Sequence, residues 1–250
     1  MQDYSNNRFL VTGASSGIGR GIATHLLGLG AEVILVGRNT ANLTAAGSSA
    51  ADEHKYKVES FDLTKVDEIP AWMGELADKH GKLDGVVHSA GILVTKPVRS
   101  YRGTDWEGSF LLNVTAGGLL AKGFRQKGVS NDGGSLVYLS SVMGIVGQPG
   151  QVVYSATKAA VIGMVRSLAV ELARENIRVN AVSPAVVETG MSLELQKNLT
   201  ESQYEKIKEM HPLGLGKESD IASAVEFLLA DSSRWITGSN LVVDGGYTAL

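Results

Sequence analysis

Tyr154 and Lys158 stand four residues apart in the stretch "VVYSATK", and Ser141 lies upstream in "LSSVMG". On a helix, positions i and i+4 share one face, so the phenol and the ammonium would be neighbours. A free tyrosine has a pKa of about 10, too high for a good base at neutral pH. A nearby ammonium would stabilise the phenolate and lower that value. The Ser141 hydroxyl would hold a substrate oxygen by a hydrogen bond. Asn113, in "LLNVTAGG", would anchor a water beside the lysine. Together these four side chains form a proton-transfer set for a reacting oxygen. The Tyr–Lys spacing alone is common by chance, and a tyrosine at a helix start often only packs against a neighbour.

A second constellation lies near the N-terminus. "RFLVTGASSGIGRGIATHLLGLGAEVILVGRN" reads as strand, glycine turn, helix, strand, with Gly13, Gly17 and Gly19 spaced G-x-x-x-G-x-G. Glycines admit a pyrophosphate close to the backbone, and a helix N-terminus offers unpaired N–H groups and a positive dipole end. At the end of the second strand, where NAD sites carry an acid for the ribose hydroxyls, this chain has Gly37 followed by Arg38. A guanidinium presents a planar donor fork to a 2'-phosphate, which favours NADP over NAD. Arg20, early in the first helix, would support the same phosphate. Asp62, in "FDLT", would accept from an adenine amine, or else cap its own turn.

Both constellations need elements to position them. Short apolar runs recur at Phe9 to Val11, Val33 to Val36, Val58 with Phe61, Leu83 to Val87, Leu136 to Leu139, Ile177 to Val182 and Leu241 to Val243. They are apolar almost continuously, as in strands covered on both faces. Helical patterns lie between them at roughly 17–29, 40–51, 66–80, 105–127, 154–175 and 218–230. Thr64 and Asp67 have capping-box spacing for the third. The alternation predicts an α/β fold: a doubly wound parallel sheet of about seven strands with helices on both faces. With no linker and no repeat, residues 1–250 read as a single domain. The excursion at about 186–216 breaks the rhythm and reads as a substrate loop or lid.

Composition narrows the classes. Charged residues make up 20% and hydrophobic ones 44% of the 250 positions, an ordinary globular balance. A net charge of -3 gives no argument for nucleic acid or an anionic membrane as partner. There is no cysteine, so disulfides and thiolate chemistry are excluded. No secretory signal and no apolar run of 18 residues is evident, and the expected location is cytoplasmic. His25, His54, His80, His88 and His211 show no metal-ligand spacing, and no metal is expected.

The sequence resembles the short-chain dehydrogenase/reductase family over essentially its full length. The matching pieces are "TGASSGIG" at 12–19, Asp62, "SAG" at 89–91, Asn113, "LSS" at 139–141, "YSATK" at 154–158, "RVNAVSPAVVETGM" at 178–191 and "ITGSNLVVDGG" at 236–246. The resemblance implies a catalytic tetrad of Asn113, Ser141, Tyr154 and Lys158. Tyr154 would be the acid/base and Ser141 the orienter of a carbonyl. Lys158 would bind the nicotinamide ribose and lower the tyrosine pKa, and Asn113 would complete a relay through water. For an NADP(H) site it implies Gly13, Ser15, Ser16, Gly17, Ile18, Gly19, Arg38, Asp62, Leu63, Ser89, Ala90, Gly91, Tyr154, Lys158, Pro184, Val187 and Thr189. The pro-S hydride would be transferred.

The resemblance also implies a homotetramer built partly on the helices at 105–127 and 154–175. The second of these carries an apolar stripe (Val161, Val165, Leu168, Leu172) beside a stripe of small residues (Ala156, Ala160, Gly163, Ser167). Two stripes point to burial on both sides. Within the family, residues 140–163 are most similar to the 3-oxoacyl-[acyl-carrier-protein] reductases, which implies reduction of a small-molecule carbonyl on an acyl thioester. Here "HSAG" replaces "NNAG", Ala185 replaces a glycine, and Asp132 and Glu175 replace arginines that would face an acidic carrier. Arg174 and Lys127 lie adjacent. A sugar or polyol dehydrogenase and a cyclic ketone or steroid dehydrogenase remain open, because Met191, Leu193 and Leu195 alternate with Glu194 and Gln196 in the 186–216 loop. So does a cofactor-binding scaffold without turnover, although a pure binder has no need of Ser, Tyr and Lys in register.

Overall fold

A computed structural model describes residues 4–48, 55–190 and 200–249 of the chain. Seven strands form one sheet: β1 Arg8–Thr12, β2 Glu32–Gly37, β3 Tyr56–Ser60, β4 Leu83–His88, β5 Ser130–Leu139, β6 Arg178–Pro184 and β7 Asn240–Val243. Their spatial order is β3-β2-β1-β4-β5-β6-β7, and every pairing is parallel. The helices are α1 Gly17–Gly28, α2 Thr40–Gly47, α3 Ile69–His80, α4 Gly103–Phe110, α5 Ala116–Phe124, α6 Val152–Leu172, α7 Glu201–Glu209 and α8 Glu218–Leu229.

The continuous apolar runs follow from burial on two sides. Phe9, Val11, Val33, Leu35, Val87, Val137 and Val182 pack with Ile22 and Leu26 of α1 and with Ile221 and Val225 of α8. Their neighbours Leu10, Ile34, Val36, Val86, Leu136, Tyr138 and Ala181 pack on the opposite face with Met73 of α3, Leu120 and Phe124 of α5, and Val161 and Val165 of α6. The inner strands β1, β2, β4 and β6 and the second half of β5 alternate between two dry layers, whereas the edge strands β3 and β7 are only partly covered. The sheet order reverses between β1 and β4, and ligands of such sheets bind at that switch point, beyond the strand C-termini.

Several boundaries differ from expectation. Thr64 does not cap α3; its amide and hydroxyl both donate to Asp62 Oδ1, at 3.0 and 2.8 Å. A 3-10 turn, Val66–Glu68, intervenes, and Pro70 sits in the first turn of α3. There its missing N–H costs nothing. The pattern at 40–51 ends as helix at Gly47, and residues 49–54, His54 among them, lie outside the described residues. So do Met191, Leu193, Glu194, Leu195 and Gln196. The single helix expected over 105–127 is broken into α4, a π turn at Leu111–Thr115 and α5.

By length and composition alone, Val152–Glu175 is apolar enough to cross a membrane. Its inward residues Val161, Val165, Ala169 and Leu172 instead fill the sheet layer. Its other face is open: Val170 is 82% exposed, and a Cβ added to Gly163 would meet nothing within 4 Å.

Candidate active site

The glycine turn joins β1 to α1. Gly13 and Gly17 have φ of 68° and 54°, the left-handed region that side chains disfavour. A Cβ on Gly13 would lie 2.9 Å from the backbone of Ala90, and one on Gly19 would strike the Gly13 carbonyl. The Ser16 side chain makes no capping hydrogen bond to α1. The first amides of the helix are thus left for a ligand, where the dipole favours an anion. Ser15, Ser16, Gly17, Ile18 and Gly19 all line a cleft of about 630 Å³.

Arg38 lines the same cleft where β2 meets α2, and a side pocket beside it is bounded by Ser15, Arg38, Asn39 and Thr40. The Asn39 side chain caps α2 by accepting from Asn42 N at 3.0 Å. Arg20 does not join Arg38. Its guanidinium reaches Glu218 of α8 at 3.4 Å, an ion pair between helices. Asp62 closes its own turn through Thr64 and lines the cleft with Leu63. Those Thr64 hydrogen bonds hold its carboxyl below the usual range.

At the other end of the cleft, the first turn of α6 presents Tyr154 and Lys158. The Lys158 ammonium lies 5.5 Å from the Tyr154 ring centroid and donates to the Leu139 carbonyl at 2.7 Å. Ser140 Oγ bonds the backbone carbonyl of Lys158 at 2.9 Å, fixing the helix against the end of β5. Ser141 Oγ accepts from Met143 N at 3.1 Å and sits 3.5 Å from the Pro184 carbonyl. It also hydrogen-bonds the Tyr154 phenol.

Asn113 is buried in the π turn rather than on the cleft wall. Its Nδ2 donates to the Ile92 carbonyl at 3.0 Å and to Thr157 Oγ1 at 3.1 Å, and its Oδ1 accepts from Ile92 N at 2.8 Å. The carboxamide is therefore committed to protein partners. A Cβ on Gly91 would lie 3.1 Å from Asn113 Oδ1 and 3.7 Å from Lys158 Nζ, so that glycine keeps open the gap between them.

His88 accounts for the π turn's anchorage. The Thr12 hydroxyl accepts from Ser89 N and Ala90 N, both at 3.2 Å, and lies 3.0 Å from His88 Nδ1. With both lone pairs used, the hydroxyl must donate to Nδ1. The ring hydrogen is then on Nε2, which donates to the Leu112 carbonyl at 3.3 Å. Burial pulls His88 down to about 4, with the Lys158 charge acting in the same sense. The ring stays neutral at neutral pH. His88 thus ties the ends of β1 and β4 to the π turn that carries Asn113.

One expectation about the phenol is reversed. Lys158 was to lower the tyrosine pKa; burial instead pushes Tyr154 up to about 12, and the Ser141 hydrogen bond opposes this only partly. Burial also pulls Lys158 down to about 8. Both groups are desolvated, and the ammonium is turned to a carbonyl oxygen rather than to the phenol oxygen. In this state Tyr154 keeps its proton throughout the neutral range.

The cleft brings together Gly13, Ser15, Ser16, Gly17, Ile18, Gly19, Arg38, Asp62, Leu63, Ser89, Ala90, Gly91, Tyr154, Lys158, Pro184 and Thr189. Val187 stays out of the lining; it is buried and bridges to Gly216 in parallel fashion. The wall also takes in Phe61, Thr64, Ile92, Leu93, Leu112, Leu139, Ser140 and Gly190, which sequence reasoning had not assigned to the site. Most adjoin a residue it had found, so strand-end flanks were the available signal. Asp132 accepts from Asn176 at 3.0 Å, and Glu175 is held bidentately by Arg125, with Nη2 to Oε1 at 2.7 Å. That hydrogen-bonded guanidinium keeps Glu175 below its usual range. Arg125, also unforeseen, neutralises one of the two acids.

A family model described as Enoyl-(Acyl carrier protein) reductase matches residues 13–248. A 3-oxoacyl-[acyl-carrier-protein] reductase of Rickettsia bellii is 36% identical over 247 residues, covering 98% of each chain. One from Aquifex aeolicus is 35% identical over 240 residues, covering 95% of each. Among solved structures, a short-chain type dehydrogenase/reductase from Mycobacterium ulcerans superimposes with a TM-score of 0.91 at 30% identity, over 99% of this chain and 92% of that one. A putative NAD(P) dependent gluconate 5-dehydrogenase from Beutenbergia cavernae, with bound NADP, gives 0.92 at 28% identity over 99% of each.

Proposed function

The chain belongs to the short-chain dehydrogenase/reductase family of oxidoreductases, and on that footing we propose that it is an NADPH-dependent reductase of a 3-oxoacyl thioester. The observation that carries this reading is a single cleft. It runs from a glycine turn and Arg38 at one end to Tyr154 and Lys158, with Ser141 behind them, at the other.

The glycine turn and the open first turn of α1 suit a pyrophosphate, and Arg38 with its side pocket suits a 2'-phosphate. Thr189 and Pro184 would border the nicotinamide. When bound, NADPH supplies the hydride. Tyr154 gives its proton to the oxygen of the reduced carbonyl, and Ser141 hydrogen-bonds that oxygen as charge develops. Lys158 holds the ribose and places a positive charge near the phenol that loses its proton. Asn113 keeps Ile92 and Thr157 in place around this centre. Ile92 and Leu93, both partly exposed beside the reacting end, offer apolar surface to an acyl chain.

The acyl thioester is favoured by the names of the curated relatives. The positions of Asp132 and Glu175 offer no cationic dock, since one is an acid bonded to Asn176 and the other is paired with Arg125. The test is NADPH oxidation with acetoacetyl thioesters beside sugars and cyclic ketones. Acetoacetyl thioesters are expected to react fastest. Carrier-bound and coenzyme A thioesters should differ in kcat/KM by less than about tenfold, because charge steering at this mouth is weak. A sugar as the best substrate would favour the polyol reading, which the Beutenbergia neighbour supports. No turnover across the panel would favour a binding scaffold.

The two buried groups set a pH dependence. Lys158 loses its proton near pH 8, whereas Tyr154 keeps its own to about 12. Reduction needs both protonated, so kcat should fall about tenfold per pH unit above roughly pH 8. The same shift makes the Lys158 site bind fewer protons in the folded chain than in the unfolded one between about pH 8 and its ordinary value of 10.5, so its contribution to stability rises as pH climbs through that window. A rate that holds steady to pH 10 would remove Lys158 from control of the alkaline limb.

We place the enzyme in the cytoplasm, as a homotetramer of single-domain subunits, with 186–216 as the substrate loop. Support for assembly comes from the outer face of α6, where Ala156, Ala160 and Gly163 form a small-residue track beside the exposed Val170.

A further inference from the structure

His211 is only 3% exposed, although it follows α7, a helix with no buried residue. Both ring nitrogens are used. Nδ1 lies 2.6 Å from the Ile207 carbonyl in the last turn of α7; a carbonyl only accepts, so Nδ1 carries the hydrogen. Val186 N points at Nε2 at 3.4 Å; an amide only donates, so Nε2 is the bare acceptor. The two partners fix the ring's orientation, one at the start of the 186–216 excursion and one within it at the end of α7.

The turn that carries His211 is clamped in turn. The His211 ring lies against Tyr247, with centroids 5.0 Å apart. Leu213 N donates to the Gly245 carbonyl at 3.0 Å, and a Cβ on Gly246 would lie 3.1 Å from Pro212. Where the excursion leaves the body, Gly216 N donates to the Val186 carbonyl at 3.0 Å and Glu188 N to the Gly216 carbonyl at 2.8 Å. These backbone bonds hold the base of the excursion. His211 adds the tie from that base to α7 itself. Thr189, three residues beyond Val186, lines the cleft and lies 3.7 Å from where a Cβ of Gly17 would be.

We propose that His211 is a positioning residue for the nicotinamide half of the cofactor site: by joining Val186 to the end of α7 it sets where Pro184 to Thr189 stand on the cleft wall. This rests on the NADPH reading above. The adenosine end, bounded by Arg38 and Asp62, makes no hydrogen bond to His211 or to Pro184–Thr189 among the described residues and is expected to be independent of it.

Three variants separate the two bonds. His211→Leu loses both. His211→Asn can still donate to Ile207 but does not reach Val186. His211→Gln can still accept from Val186 but gives up Ile207. Binding is read by cofactor fluorescence for NADPH and by calorimetry for adenosine 2',5'-bisphosphate, which lacks the nicotinamide half. His211→Leu is expected to weaken NADPH about tenfold, as for two modest hydrogen bonds, and to change bisphosphate affinity by less than about twofold. Asn and Gln should fall between. In steady-state assays KM for NADPH should rise by more than kcat falls. Equal losses for NADPH and the bisphosphate would overturn the proposal, as would unchanged NADPH affinity in His211→Leu. Should His211→Leu fail to fold, unchanged NADPH affinity in both Asn and Gln overturns it equally. If the wild-type chain binds neither ligand, the NADPH reading itself is what fails.

Discussion

Tyr154→Phe is expected to lower kcat for ketone reduction by about 10³-fold while NADPH affinity stays within about threefold, as befits removal of a positioned general acid. The reasoning starts from the phenol's surroundings. Burial keeps it protonated to about pH 12, and Ser141 hydrogen-bonds it. No other described side chain on that wall can replace the proton. Lys158 has one, but its ammonium donates to the Leu139 carbonyl. Phenylalanine removes only the hydroxyl, so the ring still packs beside Lys158 and the cleft keeps its shape. NADPH binding, measured by fluorescence, is the control for that shape. Single-turnover hydride transfer, followed by loss of NADPH absorbance, is the readout. Turnover within tenfold of wild type would assign the proton to another group, with a water held near Lys158 as the first suspect.

Much of this architecture is legible in the chain itself, for a physical reason. Runs such as "LVT", "VILV" and "LVYL" are apolar without alternation because both faces of the sheet are covered. A solvent-exposed sheet would have shown polar positions. The glycine turn is equally readable, because Gly13 and Gly19 sit where side chains would collide with Ala90 or with the turn's own carbonyl. The π turn at Leu111–Thr115 was not readable. "FLLNVTAGGLL" is an unbroken helical pattern, and the extra residue is stabilised from outside, by His88 on the Leu112 carbonyl and by Asn113 on Ile92. Those partners are distant in sequence, and local propensity carries no trace of them. The phenol's pKa failed to follow the sequence argument on the same ground. Spacing puts Lys158 on the face of Tyr154, but depth of burial, a property of the whole fold, decides the direction. Thr64 and Asp67 have the right spacing for a cap, yet the Asp62 carboxylate, only two residues away, takes both Thr64 donors first. Likewise Arg20 is drawn off by Glu218, a residue on the far end of the chain.

Arg38→Asp is expected to reverse cofactor preference, lowering kcat/KM for NADPH about a hundredfold or more and raising that for NADH several-fold. Arg38 is exposed at the rim of the cleft, and the pocket beside it is completed by Ser15, Asn39 and Thr40. A charge pair near a protein surface contributes about 1 to 4 kcal/mol at 4 Å, depending on how wet the site is. The substitution removes the attraction for a 2'-phosphate and adds a repulsion, so two such contributions act in one direction. It also puts a carboxylate near Gly37, where it can accept from the free ribose hydroxyls of NADH. Asp62 lies on the same wall and already senses the Arg38 charge, so the variant gathers two acids there and deepens the discrimination. Salt gives an independent check. In the wild type, KM for NADPH should climb between low and physiological salt more steeply than KM for NADH, because exposed charges are screened over about 10 Å at 0.1 M. In Arg38→Asp that difference should vanish or change sign. An unaltered NADPH-to-NADH ratio in the variant would shift recognition to the neutral donors Ser15, Asn39 and Thr40. Those groups bind through short hydrogen bonds and would leave the salt dependence of the two cofactors alike.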